Sequence, residues 1–590
     1  MADKENSRII SGNNLLWEYS RYDKRSFVIA VLIRGSAIAF SVVTPLLASR
    51  VIADLALSEY LRLLIAAGML AVLRITGTIS NLAASFYYKK VYVKAIEHLH
   101  NDMEDAIFRM KLKVIDQKGT GVFIKRMNDD AEVVAQGAID MTNRLVSVAE
   151  IAGVLIATAV ISWKILIFEL LSLVIILIWE KGFTKAIKPY LMESKRANEK
   201  HVTFIIETIR AHLDIKSLNC EKRFLKELQQ SDEHVDKLFL ARVLRNFFNG
   251  RDFAIYRGFS DFAFVVFLVL LCTNGKVTPV TALILYNYHG QLSGGTDTLS
   301  DLAEVMRNAK ISSDRISEMF DDEKYPKTVY GNVSRDRLKG DIEFRHVDFG
   351  YVNGEDEAKV EVFNDLNLHI SPGENVAFVG ASGCGKSTIL KLINRFYDPD
   401  KGAVFIDGID SREYDKNTLR GNITLINQST YIFDRTIREN FKLFKPDLTE
   451  EEMTAACKAA CIHDDIMRFP DGYDTKVGEG GVVLSGGQSQ RIAFVRAILR
   501  DTPIIMLDES TSALDNITQS KVLNYMKQIG NGKTMITVAH RLSTIVDCDR
   551  IYYIEDGYIA ACGTHEELIK SCEGYRRLYT TDIKERKENE

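Results

Sequence analysis

A chain of 590 residues exceeds what a single hydrophobic core supports, so at least two domains are expected. A formal net charge of -4 and a pI near 6.3 leave no basic footprint for nucleic acid. The eight cysteines lack any C-x-x-C spacing and lie mostly in the second half, which fits reduced thiols rather than a disulfide framework.

The N-terminal MADKENSRII has no signal-peptide core. Residues 15–25 combine Trp17 and Tyr19 with Arg21, Lys24 and Arg25, a pattern that predicts a short helix on the membrane face. Six hydrophobic segments follow, near 27–53, 61–87, 138–162, 164–182, 252–273 and 277–300. Several are shorter than a lone spanning helix wants, and their polar extensions predict faces turned to a water-filled cavity. A buried hairpin of a soluble protein is the alternative for 138–182, and six such segments in series oppose it. Lys and Arg crowd the long stretches after the second and fourth segments, while the other loops are very short. The positive-inside rule then places the long loops and both termini in the cytoplasm. Those loops read as helical continuations, each turning at a short break, one at 114–121 and one near 211–217.

Arg34 and Arg74 interrupt their segments, and Glu150 sits at comparable depth. An arginine there costs about 2.5–3.5 kcal/mol unless it meets water or a partner. Two readings stay open. Either Arg and Glu pair or the arginines snorkel to the headgroups, or they line a cavity that recognises an anionic group. Tyr286, Asn287 and Gln291, in an unusually polar last segment, join that candidate substrate cavity. Gly290 and Gly294 have the spacing that permits close helix contact.

Residues 1–320 are thus expected to form a membrane domain of six long helices. Residues 321–340, with Pro326 and Gly331, read as a linker, 341–582 as an α/β domain, and 583–590 as a charged, unstructured tail. Within the α/β part, residues 379–388 fit G-x-x-x-x-G-K-[ST]. An apolar strand (375–379) precedes the motif and a helix (389–396) is predicted after it. Gly380, Ser382, Gly383, Cys384 and Gly385 would cradle phosphate with backbone N–H groups. Lys386 would reach the β/γ-phosphates and Ser387 would ligate Mg²⁺, and Thr388, next in the chain, joins the nucleotide-binding set. The apolar run 504–507 ends in Asp508 and Glu509, where α/β sheets place ligands. Asp508 would hold Mg²⁺, and Glu509 would act on the attacking water as general base.

Between these motifs stands Leu484-Ser485-Gly486-Gly487-Gln488. This signature, the phosphate loop and the apolar-Asp-Glu strand, in this order, resemble the ATP-binding cassette (ABC) family. With six membrane segments ahead, the chain resembles a half-size ABC exporter, and residues 119–130 resemble the family's first cytoplasmic loop. The resemblance implies that Tyr351 stacks on adenine, worth roughly 1 kcal/mol. It implies that Gln428 touches Mg²⁺ or water, that Asp515 lies in the loop crossing a dimer interface, and that His540 is the switch histidine on the γ-phosphate. It also implies that Ser485, Gly486, Gly487 and Gln488 complete the ATP site of a second cassette. No catalytic position is degenerate, which favours a homodimer.

The fold class expected is therefore an α-helical membrane domain plus an α/β P-loop ATPase domain with a helical subdomain. The function expected is ATP-driven export of an amphipathic solute, lipid-like, peptide or drug-like, across the cell (inner) membrane. ATP and Mg²⁺ would be cofactors, with membrane lipid and a second copy of the chain as partners. An ATP-gated channel or regulator on the same scaffold is the alternative. A soluble cassette ATPase of DNA maintenance is opposed by the membrane segments and by the absence of a basic face.

Overall fold

A computed structural model describes residues 12–56, 60–249, 254–352, 359–478, 480–508, 516–539 and 542–589. The chain forms two compact units. One comprises residues 1–105 and 124–320, the other residues 106–123 and 321–590.

Helices account for the first unit. The first segment folds as Lys24–Gly35 and Ala37–Ala56, and the second as the 50-residue helix Tyr60–Arg109. At 1.5 Å per residue that helix is about 75 Å long, more than twice a ~30 Å hydrocarbon core. Helices Trp163–Arg210 and Pro279–Phe320 are comparably long, at 48 and 42 residues, and Glu221–Asn249 and Ala254–Thr273 lie between them. The long basic loops are thus helical continuations, and one break folds as the short helix His212–Ser217. Among the described residues, Trp17–Leu55, Tyr60–Arg109 and Thr120–Ile161 are long and apolar enough to cross a bilayer, and Gly258–Thr273 is a shorter apolar stretch.

The N-terminal helix Gly12–Ser20 is tied to its own unit. Leu15 is buried, Trp17 packs edge-on against Phe27, and the Tyr19 hydroxyl donates to Asp102 at 2.6 Å. Asp23 caps the next helix by accepting from the Ser26 amide, and it pairs with Lys94.

Burial of ionisable groups dominates the far end of the unit. The His289 ring, 2% exposed, reaches Glu169 through Nδ1 (2.9 Å) and Asp261 through Nε2 (3.1 Å). Its face stacks on Phe264, with centroids 4.1 Å apart. Three helices are joined by one imidazole. The ring's two nitrogens point to different carboxylates, so the three donors do not converge on a point as metal ligands would.

In the second unit, strands β1 (Ile342–Tyr351), β2 (Val360–Ile370), β3 (Asn375–Gly380), β4 (Lys401–Ile406), β5 (Ile409–Asp410) and β6 (Ile423–Ile426) come first. Two short strands, β7 (Arg435–Thr436) and β8 (Lys476–Val477), pair with each other. The last four are β9 (Ile504–Asp508), β10 (Thr534–Val538), β11 (Arg550–Glu555) and β12 (Tyr558–Gly563). An antiparallel sheet runs β2-β1-β4-β5 and a second sheet runs β12-β11-β3-β10-β9-β6, parallel except at the β12 edge. One core, with Phe344, Phe363, Phe378 and Ile389, fills the space between the sheets and helix Lys386–Ile393. A second, with Ile437, Phe441, Cys457 and Phe494, underlies helices Ile437–Lys442, Glu450–Ala459 and Gly486–Arg500. This is the helical subdomain. Capping boxes at Thr436, Thr449 and Ser485 start these three helices.

Residues 321–340 lie along this unit: the Gly331 and Val333 amides donate to the Tyr414 and Glu413 carbonyls, and Leu338 is buried. Contrary to the unstructured tail expected from its charge, helix Glu573–Asn589 runs through it. Buried Tyr575 anchors its first turn, and Glu573 pairs with Arg577 one turn on.

Removing the His289 ring leaves buried Glu169 without its hydrogen-bond partner, a loss of about 1–3 kcal/mol, while half-exposed Asp261 turns to water. His289→Ala is expected to lower the thermal midpoint of purified protein by several degrees, and Glu169→Gln, whose amide oxygen still accepts a hydrogen bond, by less. Equal midpoints for all three proteins would show the cluster to be energetically idle.

Candidate functional site

Strand β3 lies inside its sheet, between β10 and β11. The chain leaves its C-terminal end as a tight loop, and the helix begins at Lys386, three residues ahead of the sequence expectation. Gly385 sets that start. Its φ of 100° is left-handed, and a Cβ there would press on the Phe363 ring, 2.6 Å from Cζ. A Cβ on Gly380 would meet the Cys384 sulfur at 2.7 Å. Ser382 and Gly383 are exposed at the loop tip. Lys386 is buried, and its Nζ donates to the Ala381 and Gly380 carbonyls at 2.9 and 3.0 Å.

The Ser387 hydroxyl donates to Asp508 Oδ1 at 2.8 Å. The two hard oxygen donors stand side by side, a set that suits Mg²⁺. Asp508 ends β9, which pairs with β6, Ile426 opposite Leu507. Gln428 therefore follows the neighbouring strand end, and it is exposed. Thr388 meets the Tyr351 hydroxyl at 3.2 Å, so the predicted aromatic stands beside the phosphate loop. Glu509, Asp515 and His540 lie outside the described residues, although the strands leading to Glu509 and His540, β9 and β10, are adjacent.

Ser485 caps helix Gly486–Arg500: its hydroxyl accepts from the Gln488 amide at 3.2 Å, and the Gln488 side chain accepts from the Ser485 amide at 2.9 Å. Ser485 and Gly486 are exposed, and Gly487 and Gln488 partly so. Arg491 holds the turn from below by donating to the Gly487 and Cys461 carbonyls and pairing with Asp465 at 2.6 Å.

Residues 106–123 hold the break at 114–121, a contact point expected from sequence, and make contacts whose partners the sequence does not name. Helix Leu112–Lys118 ends at Gly119, whose φ is 75°. Lys111 pairs with Asp398 at 2.8 Å, and the Gln117 side chain donates to the Val352 carbonyl at 3.0 Å. Asp116 accepts a short hydrogen bond from Tyr397, whose ring packs edge-on against Tyr351 at 5.4 Å. Burial favours the protonated form of Asp398, but Lys111 and Arg395 outweigh it and hold its carboxyl below the usual range. Burial and then the Asp116 bond push the Tyr397 phenol up. The break at 114–121, with Lys111 and Asp116 beside it, was the sequence signal for these contacts.

In the first unit, Arg34 pairs with Glu150 at 2.8 Å. Arg74 is exposed on its helix. Tyr286 and Gln291 are exposed and Asn287 is half-buried, bonding the Leu283 carbonyl, while neighbouring Tyr288 is buried and donates to the Val42 carbonyl. Of the predicted cavity residues, the structure pairs Arg34 with Glu150, and Arg34 lines a cavity that includes none of the other five. A Cβ on Gly290 or Gly294 would meet nothing within 4 Å. The close helix approach is at Gly295 instead, where an added Cβ would lie 2.8 Å from the Ile151 side chain.

A phosphate loop, the Ser387–Asp508 bond and an exposed signature helix, on one chain with bilayer-spanning helices, define a membrane-bound P-loop ATPase. Residues 363–512 match the ABC transporter family and residues 26–295 the ABC transporter transmembrane region. YgaD of Bacillus subtilis, named for multidrug export as an ATP-binding/permease protein, is 31% identical over 509 residues, 84% of this chain and 86% of its own. A similarly named Staphylococcus aureus protein is 35% identical over 381 residues, 64% of each chain. The structure of a bacterial Atm1-family ABC exporter with ATP bound matches with a TM-score of 0.79 at 25% identity, covering 95% of this chain and 98% of that one. The chain belongs to the ABC transporter family. It has the build of a half-size exporter, and it binds ATP and hydrolyses it to drive transport.

Cys384 tests the loop. Burial raises its thiol above the ordinary range, and Lys386 offsets this only in part. The thiol therefore stays protonated at neutral pH, and thiolate appears only as pH rises past a higher than usual point. Maleimide inactivation of ATPase activity is expected to be slow at pH 7, to accelerate toward pH 10, and to be blocked by bound ATP. Inactivation at the same rate in Cys384→Ala would assign the effect to another cysteine.

Proposed function

We propose that the chain acts as a homodimer that exports an amphipathic solute, lipid-like, peptide or drug-like, from the cytoplasm or inner leaflet, with the ATPase unit in the cytoplasm. The observation that carries this reading is the 2.8 Å Ser387–Asp508 bond beside the phosphate loop, together with an exposed signature turn capped only from within its own helix. The loop would bind ATP, and the signature turn would need another cassette's ATP to complete a site. Intact Lys386, Gln428, Asp508, Glu509 and His540 support two equivalent sites.

In this reading Tyr351 stacks on adenine. The loop amides and Lys386 bind the phosphates. Ser387 and Asp508 would hold Mg²⁺, which supplies charge neutralisation on the β- and γ-phosphates when bound. Glu509 accepts a proton from the attacking water, His540 and Gln428 orient the γ-phosphate and that water, and Asp515 meets the opposite cassette. Ser485, Gly486, Gly487 and Gln488 present helix N–H groups to the second cassette's ATP.

Two surfaces support the dimer. The cassette carries a groove of about 210 Å³ lined by Tyr431, Phe433 and Phe444, with Arg496 beneath, pushed down to about 10 by burial. Helix His212–Ser217 and the turn after it expose Leu213 and Leu218, at 78% and 71%. Both surfaces leave apolar side chains for a second copy to cover. The Asp116–Tyr397–Tyr351 series would then tie nucleotide occupancy to helix Leu112–Lys118.

Glu509→Gln removes the base and keeps the shape. Turnover is expected to fall about 10²–10⁴-fold with ATP binding intact, and loss of ATP binding in that variant would contradict the assignment. Asp116→Ala breaks the bond to Tyr397. Basal hydrolysis should stay within about twofold, while the increment added by a transported compound falls about tenfold, the scale of one charged hydrogen bond. An unchanged increment would remove Asp116 from coupling.

A further inference from the structure

The His289 ring has a carboxylate within hydrogen-bond distance of each nitrogen, Glu169 at 2.9 Å from Nδ1 and Asp261 at 3.1 Å from Nε2. A neutral imidazole carries one N–H and one bare nitrogen, and an ionised carboxylate only accepts. With one ring proton, one of these contacts sets a nitrogen lone pair against a carboxylate oxygen. Both are hydrogen bonds only when a second proton is present. The His289 and Glu169 side chains are 2% and 4% exposed, so bulk water cannot relieve that clash on their side, whereas Asp261 is 49% exposed.

Depth makes the proton count matter. Asp261 lies about three turns before Thr273 and His289 about three turns after Pro279, the facing ends of helices Ala254–Thr273 and Pro279–Phe320. Both are then about 15–18 Å along their helices from the turn between them, near the middle of a ~30 Å hydrocarbon core. Without the second proton the cluster holds two negative charges and no positive one at that depth, where ionisable groups are costly unless paired. Among the described residues the three groups have only one another as charged partners. Helix Ala131–Ile161 faces them with Ile151 and Leu155, and its Glu150 is held by Arg34. Ser172 and Ser293 add hydroxyls to the walls of a void of about 20 Å³ beside Glu169 and His289, room for one water.

We infer that Glu169, His289 and Asp261 form a proton-binding site, taking up one proton more than the three groups hold when apart. The proton comes from water on the open Asp261 side and forms an N–H bond on the ring. The imidazolium then donates to both carboxylates, and the cluster goes from two net negative charges to one. When the proton leaves, the Asp261 contact is the one that opens, because it is the longer and water can replace the ring there. The remaining N–H stays on Glu169. The proton is thus a latch that ties helix Ala254–Thr273 to helix Pro279–Phe320. This goes beyond the export reading, and its test uses neither nucleotide nor transported solute.

All three tryptophans, Trp17, Trp163 and Trp179, lie in the same unit as the cluster. Their fluorescence therefore reports unfolding of that unit in full-length, nucleotide-free protein held in lipid nanodiscs. Thermal midpoints are read for the wild type and Asp261→Asn from about pH 5 to 8, the range in which a free histidine changes charge. The new amide donates to a bare Nε2, so the variant keeps both contacts with one ring proton. The folded wild type binds one proton more than its unfolded chain, so its stability relative to the variant falls as pH rises. The midpoint difference, wild type minus variant, is expected to shrink by about 2–4 °C from the acid to the alkaline end. Glu169→Gln, whose amide can donate to a bare Nδ1, gives the same comparison if Asp261→Asn does not fold. A difference that is constant with pH, or that grows, overturns the inference, since a purely structural cluster shifts the midpoint equally at every pH.

Discussion

The cassette depends on one junction, where strand β3 hands over to helix Lys386–Ile393 through five residues. Backbone N–H groups can face an anion there only because Gly385 takes a left-handed turn that a side chain would block against Phe363. The rest of the unit brings chemistry to this point. Strand order puts β10 and β9 beside β3, so the ends of three parallel strands open on the same edge. The Ser387–Asp508 bond then spans from the first of these strand ends to the third. The carboxylate and hydroxyl are prepositioned, which removes the entropy of assembling them around a nucleotide.

Tyr351 links that junction to helix Leu112–Lys118. Its hydroxyl touches Thr388 in the phosphate-loop helix, its ring touches Tyr397, and Tyr397 donates to Asp116. Each step is a directional contact between partly buried groups, so a shift at one end has few ways to dissipate. Lys111–Asp398 fixes the start of the same helix and the Gln117 bond to the Val352 carbonyl its end. The segment 106–123 is thus covalently part of a chain of membrane helices and energetically part of the cassette.

The motifs were legible because they need fixed residues at fixed spacing. The phosphate loop, the β9 carboxylate and the capped signature helix all stood where local sequence placed them. The helix start was read three residues late, because apolar periodicity reports the buried face while Gly385 sets the turn. The linker's docking was not legible, since Gly331 and Val333 bind through backbone groups that any residue carries. Nor were Asp116 with Tyr397, or Glu169 with His289 and Asp261. These are long-range pairs, and one sequence carries no register between distant helices. Gly290 and Gly294 border open space within this chain, and Ile151 comes close at Gly295 instead.

Pairing decides how the membrane half is read. An arginine within a hydrophobic segment is costly until its charge is met, and Glu150 meets Arg34 within the same unit. Both side chains remain about one-fifth exposed, so the pair retains water and contributes little stability by itself. Its consequence is electrostatic. With Arg34 balanced by Glu150 and Arg144 by Asp301, both guanidinium charges are met within their own unit.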